Sequence, residues 1–138
     1  MKFKFLIISI LISKCLSGGF ILSPDALPQL AKEFIAKHFS NAQIGMVQMD
    51  KNTYEVYLTD GTELEFYIDG NWKEIEAKFN VISFNILPPN LASIMQNNFP
   101  NTAIIEIKRK ANYYKIELTN HLEVIMDFNG TILNAKYD

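Results

Sequence analysis

The chain has one cysteine, one tryptophan and two histidines, and each scarcity closes off a class of function. Cys15 lies inside a hydrophobic N-terminal segment. Without that segment no thiol remains, so disulfides and thiolate metal sites are excluded and stability must come from an apolar core. His38 and His121 are the only imidazoles. A Ser or Thr nucleophile needs a base within reach and a group to orient that base. No Gly-x-Ser-x-Gly, His-Glu-x-x-His or glycine-rich phosphate loop is present. We therefore expect no catalytic residues, no enzyme activity and no cofactor. Basic charge is also short. Thirteen Lys and Arg, less Lys2, Lys4 and Lys14, leave ten against fifteen Asp and Glu, a net charge of −5 for the remainder. Such a balance argues against nucleic acid or anionic lipid as a partner.

The hydrophobic stretch itself is short. Lys2 and Lys4 precede an apolar run from Phe5 to Ile12 broken only by Ser9, and small or polar residues follow to Gly19. That order is the layout of a secretory signal peptide, and the run is too short for a bilayer core of about 30 Å. Residues 1–18 are expected to be removed after Ser17 or Gly18, placing the protein in the periplasm or medium. A lipid anchor on Cys15 is disfavoured, because Lys14 stands where a small residue is needed.

What is abundant is internal similarity. Displaced by sixty residues, the chain aligns on itself without a gap. Leu27-Pro28 falls on Leu87-Pro88, Phe39 on Phe99, Tyr54 on Tyr114, Leu58-Thr59 on Leu118-Thr119, and Gly70 on Gly130. A fixed register of that length is the signature of a repeat. In each unit a Leu-Pro opens a helix, 27–38 and 88–98, with Leu27, Leu30, Ala31, Phe34 and His38 at helical spacing in the first. Strands at 53–59 and 62–68 alternate: Tyr54, Val56, Leu58, Leu64, Phe66 and Ile68 point one way, and Glu55, Tyr57, Glu63, Glu65 and Tyr67 the other. Asp60-Gly61 is a hairpin turn, whereas Asn120-His121 predicts a looser or longer one.

These features predict an α+β fold: a tandem repeat of helix plus antiparallel β-meander, forming a six- to eight-stranded sheet with helices on one face. The units are 19–78 and 79–138. Residues 79–87 are too apolar for a free linker, so the two should pack as one body.

The motifs Leu27-Pro28, His38-Phe39, Tyr54 to Leu58, Asp60 to Phe66 and Asp69-Gly70-Asn71-Trp72 resemble those of the exported bacterial PepSY-like proteins, a family similar to the β-lactamase inhibitor protein fold. The resemblance covers essentially all of the chain after the leader. It implies the fold and an exported setting; the inhibitor fold itself binds an enzyme through its open sheet face, a role that fold alone does not transfer. The second unit departs from it at His121, in place of Gly, and at Ile132, in place of Trp.

If the helices cover one side of the sheet, the other side is the candidate binding surface. Its proposed residues are Tyr57, Tyr67, Glu55, Glu63, Glu65 and Ile125, with Asp69, Lys115, Glu117, Glu123 and Asp127 around them. An ordinary solvated face with cross-strand Tyr–Glu pairs is the alternative. Asp50, Asp60, Glu63 and Asp69 could offer oxygens to calcium, but Asp-Gly turns explain them more simply, and no metal is expected. His38 should close its helix as a favourable C-terminal cation. Lys108-Arg109-Lys110 reads as a charged sheet edge that deters strand pairing, and Trp72 as core or rim. The functional expectation is an exported binding module that inhibits or modulates a secreted or periplasmic enzyme through a protein partner. The alternative is a structural, envelope-associated protein.

Overall fold

The computed structural model describes residues 19–138, so the expected leader and Cys15 lie outside the described residues. The first strand, β1 (Phe20–Leu22), leads into a 3-10 turn at Pro24–Ala26, where the Ser23 hydroxyl accepts from Asp25 N at 3.3 Å. Helix α1 (Gln29–His38) follows, then β2 (Ile44–Asp50), β3 (Thr53–Leu58), β4 (Glu63–Tyr67) and β5 (Trp72–Glu76). The same order then recurs. A 3-10 turn at Phe84–Ile86 is capped by Ser83, and α2 (Pro89–Asn98) precedes β6 (Ile104–Arg109), β7 (Tyr113–Leu118), β8 (Leu122–Asp127) and β9 (Ile132–Tyr137). Pro28 and Pro88 sit at the helix starts, where a missing N–H costs nothing.

All nine strands form one antiparallel sheet in chain order, each hydrogen-bonded to its sequence neighbour. The sheet therefore exceeds the expected six to eight strands. The extra one is β1, whose three residues are too few to show a period. β5 pairs with β6 through Ile75↔Ile107, which makes the two halves continuous. Ile82 bridges to Ile104, and Ile82, Phe84, Ile86 and Leu87 are buried, so the connection packs into the body, although Phe79 and Val81 are exposed.

One side of the sheet carries the core. Val47, Val56, Leu64, Ile75, Ile107, Ile116 and Val124 form one cross-strand row with no exposed surface beyond 2%. Leu27, Ala31 and Ile35 from the first half and Leu91, Ala92 and Met95 from the second pack on that side. The expected helix face is off by a fraction of a turn. Leu30 is exposed and Ile35 is buried in its stead. Ile68 is likewise exposed, because β4 ends at Tyr67 and the chain turns there.

The β4–β5 and β8–β9 turns lean on the helices. Gly70, at φ +93°, has no room for a side chain, since a Cβ would lie 3.0 Å from Leu30 and Pro28. Gly130 stands equivalently against Ile94 and Leu91 of α2. The Asn120-His121 turn is not longer than Asp60-Gly61. His121 takes φ +67° and donates its N–H to Leu118 O at 2.9 Å, as Gly61 does to Leu58 O at 3.1 Å. Asn120 Oδ1 supports it by accepting from Leu122 N, the position Asp60 takes towards Thr62 N.

Candidate functional site

Strand alternation sends every second side chain to the face opposite the helices, and the register sorts those side chains into rows. One row runs Tyr57, Glu63, Glu76, Glu106, Glu117, Glu123, Lys136 across β3 to β9, each residue paired directly with the next. Five consecutive members are glutamates. The adjoining row runs Gln48, Glu55, Glu65, Glu74, Lys108, Lys115, Ile125, Asn134. Like charges directly opposite one another destabilise a sheet, so this arrangement works against folding unless cations or protons relieve it.

Both forms of relief are present. Lys78 Nζ lies 3.5 Å from Glu63 and 3.3 Å from Glu76. Lys108 Nζ lies 3.7 Å from Glu74 and 3.6 Å from Glu106, and Lys115 lies 3.7 Å from Glu123. The Glu106 carboxyl is pushed up to about 7, mainly by burial and then by its hydrogen bond to Glu76, with Lys108 opposing. Glu117 is also raised, by burial first and then by Asp138. Burial would lower Lys108, but the carboxylates of Glu74 and Glu106 outweigh it and raise the group.

The six sequence-selected residues share this face but not one environment. Glu55, expected among solvated groups, is buried at 7% exposure and accepts from Gln48 Nε2 at 2.6 Å and from the Tyr57 hydroxyl at 3.0 Å. Tyr57 is thus tied into a polar cluster rather than standing free. Glu65 accepts from Thr53 Oγ1 at 3.0 Å and approaches Lys73 at 3.7 Å. Tyr67 is exposed, with the Lys73 ammonium 5.9 Å from its ring centre. Glu63 joins the glutamate row, and Ile125 lies between Lys115 and Asn134. Asp127 is one row further out, opposite Tyr113.

Sequence reasoning overlooked Glu74, Glu76 and Glu106. Their oxygens lie within 4.8 Å of one another, which gives the described residues one carboxylate cluster of metal-binding dimensions. The signal was available only through register, because β5 and β6 are some thirty residues apart. Asp60 and Asp69 act as turn residues: Asp60 Oδ1 accepts from Thr62 N at 2.9 Å and Asp69 Oδ1 from Asn71 N at 3.0 Å. The basic run is not an edge, since β6 is paired on both sides. Lys108 faces the glutamates, while Arg109 points to the helix side and stacks on Trp72, 4.3 Å from the ring centre. His38 ends its helix as expected, while burial and then Lys37 lower its pKa and so disfavour the cation there. No helix among the described residues is long and apolar enough to cross a membrane.

The model of a beta-lactamase-inhibitor-like, PepSY-like family matches residues 19–59 and 52–134. Three solved structures are similar over 86% of this chain. A Bacteroides vulgatus periplasmic protein of unknown function is 31% identical, with 99% of its chain covered and a TM-score of 0.77. A Bacteroides thetaiotaomicron periplasmic protein, provisionally described as calcium-regulated, is 27% identical, with 96% covered and a TM-score of 0.79. A second Bacteroides vulgatus periplasmic protein is 25% identical, with 96% covered and a TM-score of 0.79. No curated protein matches.

Proposed function

The chain belongs to the beta-lactamase-inhibitor-like, PepSY-like family, an exported group of periplasmic proteins that is not a known enzyme family, and from that premise we propose that it is a binding module. The partner is a protein, an enzyme of the periplasm or medium that the module inhibits or modulates, and the contact surface is the sheet face opposite the helices. Residues 1–18 serve as the leader, and 19–78 and 79–138 as two PepSY-like repeats fused through β5 and β6.

One observation carries this reading: five glutamates stand in a single cross-strand row from β4 to β8. An acidic stripe on the face away from the helices suits a partner with Lys and Arg at its rim, and the exposed Tyr67 stands on the same face two rows away. The test uses the exported full chain as bait in envelope extract at low and high salt. The triple variant Glu76→Gln, Glu106→Gln, Glu117→Gln should lose whatever the wild type captures at low salt. Identical capture by both proteins leaves the face structural and favours the envelope-associated alternative.

A second reading rests on Glu74, Glu76 and Glu106. Three converging carboxylates are hard oxygen donors of the kind calcium takes, and a relative of 27% identity is provisionally described as calcium-regulated. Lys108 already approaches Glu74 and Glu106, so an ion would have to displace it. A calcium titration followed by thermal melting separates the two readings. A melting temperature that rises with calcium in the wild type, and not in Glu106→Gln, supports the ion.

A further inference from the structure

The other side of the sheet holds a second feature. Between α1 and the start of α2 lies an open groove of about 780 Å³, floored by Trp72, Arg109 and Tyr114. That volume is in the range of small-molecule sites. We propose that this groove binds a small organic carboxylate with an aromatic or apolar body, and that Arg109 takes the carboxylate.

Arg109 carries the argument. The alternation of β6 that gives Lys108 to the glutamates turns Arg109 inward, opposite Tyr114 and over Trp72. Its Nε is buried with no hydrogen-bond partner, and Arg109 makes no ion pair among the described residues. A guanidinium on the core side of a sheet is costly unless its donors are used. The indole face of Trp72 supplies some of that stabilisation through its π cloud. It leaves the planar fork of N–H donors unused, and that fork matches a carboxylate in two parallel hydrogen bonds.

The surroundings define the rest of the ligand. Leu30 and Phe128 line the groove at 46% and 43% exposure, apolar surface that a flat hydrophobic body would cover. Trp72 and Tyr114 stack with ring centres 6.0 Å apart, a rigid aromatic floor. The charged groups lining the groove besides Arg109 are Lys37, Glu33 and His38. With His38 held towards its neutral form, the site has a small positive excess in an acidic protein, which suits a monoanion better than a dianion. Asp69 feels the Arg109 charge but forms no ion pair with it, so it does not occupy the fork.

Trp72 is the chain's only tryptophan, so its indole N–H gives a single reporter signal in NMR. The probe is 2-naphthoate, and its neutral isostere naphthalene-2-carboxamide is the control, both added to protein recovered after export of the full chain. Naphthoate should shift the indole signal saturably, and the carboxamide should bind about ten-fold more weakly or worse, since it lacks the charge-assisted pair. Arg109→Gln should erase that preference, and Lys115→Gln on the opposite face should leave it intact. If Arg109→Gln loses its dispersed spectrum, Phe128→Ser, which removes a half-exposed wall packed edge-on against Tyr114 at 5.0 Å, should keep the fold and weaken naphthoate by about three-fold or more. The proposal is overturned if naphthoate leaves the indole unmoved, if the carboxamide binds equally well, or if Phe128→Ser and a folded Arg109→Gln both bind as the wild type does.

Discussion

Glu106 on β6 stands directly across from Glu76 on β5, and the two carboxyls share a hydrogen bond. Glu106 holds its proton in a range where an isolated glutamate would have lost it. With a folded value of about 7 against an ordinary 4.5, Glu106 binds more protons in the folded chain across that interval. Its contribution is therefore full below the ordinary value and is lost as pH rises through 7. His38 acts in the opposite sense. Its lowered pKa makes folding oppose protonation, so its contribution is lost as pH falls below the ordinary imidazole range. Comparison of variants separates the two. Relative to Glu106→Gln, the wild type should gain about 1 kcal/mol of stability between about pH 8 and pH 5, after discounting for solvent screening. Parallel pH–stability curves for the two proteins would show that the carboxyls titrate independently.

The turns make a conformational prediction. Gly70→Ala places a methyl 3.0 Å from both Leu30 and Pro28 in a left-handed backbone, and it should cost more than about 1 kcal/mol in denaturant unfolding. His121 bears the same positive φ with a Cβ. His121→Gly should be neutral or stabilising by up to about 1 kcal/mol. A clear loss on making that turn resemble Asp60-Gly61 would mean the imidazole makes contacts that outweigh its strain.

Phe66 is fully buried, with the Phe34 ring edge-on to it at 6.0 Å. Phe66→Ala should cost about 3–5 kcal/mol. Phe34 is only partly buried against the core, so Phe34→Ala should fall below that range. Equal losses for the two would place Phe34 deeper than its packing shows.

Much of this fold could be read from the sequence because its signals are local. Asp-Gly and Asn-Gly fix turns within four residues, and alternation over five or six residues assigns Val56, Leu64 and Phe66 to the core side. Where the expectation failed, the deciding partner was distant. Leu30 and Ile35 both suit an apolar helix stripe, and the choice between them depends on how α1 sits on the sheet. Glu55 reads as a surface residue until Gln48 from β2 is paired beside it. The glutamate row needs four cross-strand registers at once, including Glu76↔Glu106 between the two halves. The bulge at Ile104/Glu106 breaks the period that would have exposed it. The same irregularity hid Arg109, whose inward turn is visible only once Lys108 is known to face Glu74.

Tyr57 and Tyr67 were alike in the sequence, and the structure separates them. The Tyr57 hydroxyl donates to buried Glu55 at 3.0 Å and lies 3.5 Å from Gln48 Nε2, so it belongs to a polar cluster around a buried carboxylate. Tyr67 is exposed at the end of β4, with Lys73 5.9 Å from its ring centre and no side-chain hydrogen bond from its hydroxyl to a described residue. Tyr67→Ala should therefore leave the melting temperature almost unchanged, while weakening a partner bound to this face by about 1–2 kcal/mol. Tyr57→Ala should lower stability by about 1–3 kcal/mol, because it strips a donor from a buried carboxylate. Tyr57→Phe isolates that effect by removing the hydroxyl and keeping the ring. Thermal melts and quantitative capture on the three variants decide the matter together. If Tyr67→Ala retains every partner at wild-type strength, the contact surface does not extend to the end of β4, and the glutamate row alone must carry recognition.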